Sequence, residues 1–237
     1  DCIKFQLYTA KNLVNPKISF DRFRHFQKFE LKKEEHIQLA KKCINSGKHY
    51  TASIWDLEMI DWIEPYLNFF KIGSGDLTAR EYLIRFAETG KPIVLSTGLS
   101  NFIEVKEAIE FIREVNCIYK QKGMIIVMQC TSMYPIEDDD ANLAVIKSFA
   151  NIKNIIPGYS DHTRGTDALV NSISMWAKVL EFHFTDNKSN ESFRDHKVSL
   201  EVEEVIDLKK KCLTALKMIG NPKKRPLKIE LENDHRK

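Results

Sequence analysis

Two short stretches of the chain each place a histidine just past an apolar run. They are PGYSDHT at 157–163, with His162, and KVLEFHFT at 178–185, with His183. Neighbouring strands lie about 5 Å apart, so imidazoles at matching places on two of them can meet at one point. Two imidazoles with open positions suit a borderline divalent metal such as Mn, Fe, Co or Zn. Two hydrogen-bonded histidines capping the core fit the spacing as well. A second group of residues points to an anion: Lys4, Lys71, Ser74, Ser96 and Ser160, drawn from the ends of four different apolar runs. A phosphate dianion is held by several donors and some positive charge. The stretches KIGSGD (71–76) and LSTGLS (95–100) bring Ser and Gly together where backbone N–H groups can approach such a group. A single lysine of this kind could also be a snorkelling side chain at the mouth of the fold. Lys11, Lys17 and Lys32 read as solvated.

These residues must be carried by seven apolar runs, at 2–6, 49–54, 68–74, 92–97, 124–130, 154–160 and 178–185. Most are continuous rather than alternating, as in parallel strands buried on both faces. Amphipathic segments follow them. The first, 32–47, ends in a Gly47 cap signal; the others are 56–66, 78–92 with Thr78 as N-cap, 100–116, 141–150, 165–177 and 199–220. Seven βα repeats predict an α/β protein of the TIM (β/α)8 barrel type, for which about 250 residues is usual. Because the chain opens inside a strand, the expectation is a barrel lacking its first βα unit. An open doubly wound sheet is the alternative, but no GxGxxG or GxxxxGK[ST] falls at a strand–helix turn.

Barrel sites gather at the C-terminal ends of the strands. Read in order, those ends carry Lys4 and Gln6; Ser53, Trp55 and Asp56; Lys71, Ser74 and Gly75; Ser96, Thr97 and Gly98. They continue with Gln129, Thr131, Ser132 and Tyr134; Ser160, Asp161 and His162; His183 and Thr185. Lysine or histidine at the end of an apolar strand needs a reason, since burying such groups unpaired is costly. Asp161 could orient a ligand histidine or simply hydrogen-bond within its loop.

Composition narrows the classes. Hydrophobic residues at 43% and charged residues at 29% are ordinary for a globular chain, and a net charge of +3 gives little reason to expect nucleic acid. The basic runs 209–211 and 223–225 read as a solvated helix face and tail. Five widely spaced cysteines without a CxxC argue against a disulfide scaffold or a zinc knuckle and for reduced thiols in a cytoplasm. No apolar run approaches the roughly 20 residues of a membrane span, so no membrane partner is expected.

The ordered motifs IKFQ, KIGSGD, GKPIVLSTG, CTSMYP, GYSDHT, EFHFT and RDHKVSL resemble the barrel domain of the sialic acid synthase family, N-acetylneuraminate synthase and its relatives. The resemblance runs from residue 2 to about 230. It implies condensation of phosphoenolpyruvate with an N-acetylated amino sugar, with release of phosphate and a divalent metal, Mn or Mg, on His162 and His183. It implies that Lys4 and Lys71 neutralise carboxylate and phosphate, and that Asp195 meets the sugar or the metal's water; a solvated loop acid is the other reading of Asp195. Gln6, Ser53, Trp55, Ser74, Ser96, Ser132, Tyr134 and Ser160 would contact substrate.

Three departures bear on the sugar. The family's STPF reads ASIW here, with Ser53 and Trp55; its HCTSxYP reads QCTSMYP, with Gln129; its PGPDH reads SFRDH, with Arg194. The family also implies a homodimer for the full-length protein. On this reading residues 1–222 are the N-terminally truncated barrel domain, and 223–237 are a linker toward an absent C-terminal antifreeze-like domain. Two other functions compete: a sibling synthase joining phosphoenolpyruvate to an aldose phosphate, and a catalytically silent barrel that only binds metal or anion.

Overall fold

The computed structural model describes residues 1–189 and 194–232, with only the backbone of Arg194. Seven strands form one parallel sheet in sequential order: β1 (Cys2–Leu7), β2 (His49–Ile54), β3 (Phe70–Ile72), β4 (Ile93–Ser96), β5 (Ile125–Cys130), β6 (Ile155–Ser160) and β7 (Val179–Glu181). Two short strands, β8 (His183–Phe184) and β9 (Ser199–Leu200), pair in parallel just beyond β7. The helices are α1 (Ala10–Leu13), α2 (Phe20–Phe29), α3 (Lys33–Asn45), α4 (Ile60–Ile63), α5 (Arg80–Glu88), α6 (Phe102–Val115), α7 (Val145–Ala150), α8 (Asp167–Ser174), α9 (Val202–Ile219) and α10 (Lys228–Glu232).

The pleat sorts each strand into two faces. On β5, Ile125 and Val127 face out and join the main core with Tyr50, Phe70, Leu95 and the inner sides of α5 and α6. Ile126 and Met128 face in and form a small separate cluster with Val94. Above that cluster the inward positions become polar. Helix starts are set locally: Asn101 Oδ1 accepts the N–H groups of Ile103 and Glu104, while Glu104 accepts the Asn101 N–H, a reciprocal cap for α6.

A flat sheet would set β1 and β7 about 29 Å apart, six strand spacings. Instead Lys4 on β1 reaches Glu181 on β7 at 3.2 Å. The sheet is therefore strongly curled. The expected α/β fold is present as a curled half-barrel of seven parallel strands: β1 and β7 are sheet edges, and no ladder joins them among the described residues. Helix α9 lies beside that seam, where Lys209 meets the Asp1 carboxylate at 3.2 Å.

Smaller differences have local causes. Segment 56–66 is not one helix but α4 flanked by 3-10 turns, the second containing Pro65, which has no N–H to continue a helix. The Ala79 N–H is taken by the Asp76 carbonyl, so α5 opens after Ala79 rather than after Thr78. The predicted helix 199–220 splits into β9 and α9, and the stretch expected as a linker contains α10. Residues 233–237 of that stretch, and the Arg194 side chain, lie outside the described residues. Among the described residues no helix is long and apolar enough to cross a membrane.

Candidate active site

The inward polar positions assemble from register. Gln6, Ser53 and Lys71 are ladder partners across β1, β2 and β3, and Cys130, Ser160 and Glu181 are partners across β5, β6 and β7. Curling brings these two rows together. Lys71 Nζ donates to Ser96 Oγ at 2.7 Å and to the Ile72 carbonyl at 3.2 Å, and lies 3.4 Å from Glu181 Oε2. Lys4 binds the other oxygen of Glu181. Lys71 is 6% exposed, Glu181 20% and Lys4 29%. Burial lowers the pKa of Lys71, with Glu181 pulling the other way. Burial also works against the Glu181 carboxylate, yet Lys71 and Lys4 together hold it well below the usual carboxylate range.

Ser74 opens a 3-10 turn after β3 and accepts the Gly98 N–H at 3.0 Å. A Cβ at Gly98 would stand 2.9 Å from Ser74 Oγ and 3.0 Å from Ser132 Oγ, so only glycine allows this approach. The Cys130 thiol lies against the Ser74 and Ser160 hydroxyls, and burial pushes its pKa up. Lys4, Lys71, Ser53, Ser74, Ser96, Ser132 and Ser160 thus line one polar, positively charged lobe.

The second lobe holds the histidines. The rings of His162 and His183 are 5.4 Å apart, and Tyr134 sits 4.0 Å from the first and 5.5 Å from the second. His162 Nδ1 is 2.7 Å from the Thr131 carbonyl. A carbonyl only accepts, so Nδ1 carries the proton and Nε2 keeps its lone pair. His183 turns Nδ1 toward Asp195, 3.8 Å from Oδ2. Burial lowers the pKa of His162 and takes His183 down to about 4, against the pull of Asp195. Both rings are neutral at physiological pH, the form that ligates metal. Among the described residues no three His, Cys, Asp or Glu side chains close around one point. The histidine pair, with Nδ1 engaged and Nε2 free on His162, suits a metal that keeps open positions.

Some expected roles fall elsewhere. Asp161 does not hold His162: its carboxylate accepts Tyr159 OH and Thr163 N–H, both at 2.9 Å, and the Thr163 hydroxyl. Loop hydrogen bonding is its job, and the Thr131 carbonyl orients the histidine. Gln129 lies on the outward face and donates to the Ala141 carbonyl at 3.2 Å. Trp55 Nε1 is committed to Asp76 at 3.0 Å, which puts the indole at the rim. Asp56 accepts from Thr9 and Asn12 and anchors α1. Gln6 is exposed on β1.

Comparison with known proteins decides the family. The NeuB family profile matches residues 1–224. The chain belongs to the NeuB family. An uncharacterized protein from Methanocaldococcus jannaschii is 36% identical over 97% of this chain and 66% of its own length. N,N'-diacetyllegionaminic acid synthase from Campylobacter jejuni is 34% identical over 98% of this chain and 72% of its own. The chain therefore spans about two thirds of the length of the first of these relatives. The structure of N-acetylneuraminic acid synthetase from Leptospira borgpetersenii shares the fold, with a TM-score of 0.89 at 23% identity, covering 98% of this chain and 79% of that one.

In this NeuB-family chain one residue escaped the reading by residue type. Glu181 joins both lysines, yet it sat unremarked inside KVLEFHFT. The signal was available: a carboxylate inside an apolar strand, two residues before His183 and so on the same face.

Proposed function

We propose that this chain condenses phosphoenolpyruvate with an N-acetylated amino sugar to give a sialic-acid-type nonulosonate and inorganic phosphate. One observation carries the reading. Two lysines at a single carboxylate and a neutral histidine pair open on the same inner face of the curled sheet. The lysine lobe suits the carboxylate and phosphate of phosphoenolpyruvate; the histidine lobe suits a divalent metal beside a carbonyl. The C. jejuni relative, named for diacetyllegionaminic acid, makes a product of this class. We read the curled sheet as seven strands of a (β/α)8 barrel, with the seam between β1 and β7 as the place of the remaining one. The free thiols Cys2, Cys43, Cys117, Cys130 and Cys212 suit a reducing, cytoplasmic setting.

The bond changes follow from the substrates. C3 of phosphoenolpyruvate attacks the aldehyde carbon of the open-chain sugar, and the aldehyde oxygen gains a proton. Water adds at C2, and phosphate leaves with the bridging oxygen by C–O cleavage. Mn or Mg held by His162 and His183 would supply a Lewis acid for the aldehyde. Lys4 and Lys71 neutralise the phosphoenolpyruvate charge, with Ser96 holding Lys71 in place. Ser74, Ser132 and Ser160 offer hydroxyls to its oxygens, and Gly98 keeps the Ser74 hydroxyl positioned. Asp195, 3.8 Å from His183 Nδ1, would orient that ring or meet the sugar.

The test is phosphate release from phosphoenolpyruvate and Mn with a panel of N-acetylmannosamine, diacetamido hexoses and aldose phosphates. The reading expects release with an N-acetylated sugar. Release only with an aldose phosphate, or none with any sugar, would sink it.

A further inference from the structure

We infer that Glu181 is the internal counter-ion of the anion lobe, standing between Lys4 and Lys71 and competing with a substrate anion for them. The inference rests on the anion reading of the lysines given above, and says what the site does before and during binding.

The geometry supports a replaceable carboxylate rather than a permanent strut. Each oxygen of Glu181 faces a different lysine, at 3.2 Å and 3.4 Å. Oε2 is buried, and its lysine contact is a 3.4 Å ion pair rather than a close hydrogen bond, with the Ser160 hydroxyl also beside the carboxylate. A buried carboxylate kept for structure is normally hydrogen-bonded through both oxygens. Lys71, by contrast, is held independently by Ser96 Oγ and the Ile72 carbonyl. It stays in position when its charge partner changes. A phosphate or carboxylate group can therefore exchange with Glu181 without rebuilding the lobe. The carboxylate then competes with the incoming anion, and its removal raises anion affinity.

A merely structural role predicts the opposite, which makes the idea testable with inorganic phosphate as probe. Phosphate is titrated calorimetrically at low ionic strength into the wild-type chain, Glu181→Gln, Glu181→Met and Lys71→Met, with folding checked by circular dichroism. A unit charge about 6 Å from the anion predicts roughly tenfold or greater tightening in Glu181→Gln. Glu181→Met, of similar volume, is expected to tighten as well and serves if the glutamine variant fails to fold. Equal or weaker phosphate binding by the folded variants, with binding by wild type that Lys71→Met abolishes, overturns the counter-ion role and leaves the anion site standing. Tightening that survives in Lys71→Met/Glu181→Gln overturns it too, because the anion would then sit elsewhere. Absence of phosphate binding by every variant overturns the anion site and the inference with it.

Discussion

Lys4 and Glu181 stand on opposite edges of a seven-stranded sheet and meet at 3.2 Å. One ion pair thus reports both the curl of the sheet and the position of the site. The two lysines, the carboxylate and the histidine pair are one electrostatic unit, in which each change of charge is felt by the others.

Breaking that unit from the lysine side should be costly. Lys71→Met leaves Glu181 buried with one partner, and removing one partner of a buried pair typically costs about 3–5 kcal/mol. Lys4 is more exposed, so Lys4→Met should cost under about 1 kcal/mol. Denaturant melts of both variants and of Lys71→Met/Glu181→Gln check this. The double variant is expected to recover most of the stability lost by Lys71→Met.

Gly98 separates the Ser74 and Ser132 hydroxyls from a side chain that would touch both. Gly98→Ala should push these hydroxyls apart and weaken phosphate binding by roughly tenfold, in line with the loss of one or two hydrogen bonds. The fold should survive, with a melting temperature a few degrees lower. Phosphate affinity and a thermal melt on the same sample separate the two effects.

Acid should destabilise the chain well before ordinary carboxylates titrate. His162, His183 and His36 all have lowered pKa values through burial, His183 to about 4. The unfolded chain binds their protons near pH 6.5 while the folded chain resists, so stability falls as pH drops from 6.5 toward 4. Glu181 adds the same sign lower down: its folded pKa is depressed, and its contribution disappears as pH falls through the carboxylate range. Melting temperature against pH should decline steadily from 6.5 to 4, and His183→Asn should flatten part of that slope.

The same neutral histidines bear on metal. Mn affinity measured by calorimetry should fall less between pH 7.5 and 6 than that of an ordinary histidine pair with pKa near 6.5, which would weaken severalfold over that range. His162→Ala should abolish the binding.

Much of this was legible in the strands. All seven apolar runs became the strands of the sheet, and Lys4, Lys71, Ser96, Ser160, His162 and His183 converge because strand ends converge in a curled parallel sheet. What was missed follows from face and from folding back. Gln129 and Cys130 are adjacent on β5, but the pleat turns Gln129 out and Cys130 in. Asp161 precedes His162, yet its short side chain returns to Thr163 and Tyr159 rather than reaching the ring. Helices α1 and α2 were missed: α1 is only four residues long, and α2, although Phe20, Phe23, Phe26 and Phe29 recur at a near-helical spacing, buries none of them. Glu181 was hidden because its partners, Lys4 and Lys71, lie more than a hundred residues away in the chain.

The most direct test of the proposed chemistry follows one oxygen atom. Phosphoenolpyruvate labelled with oxygen-18 at the bridge between C2 and phosphorus is incubated with the protein, Mn and N-acetylated amino sugars. The released phosphate is then examined by phosphorus NMR. Condensation with C–O cleavage predicts that the label appears in phosphate, and only when an acceptor sugar is present. Label retained in the organic product, or phosphate released equally without sugar, would contradict the account.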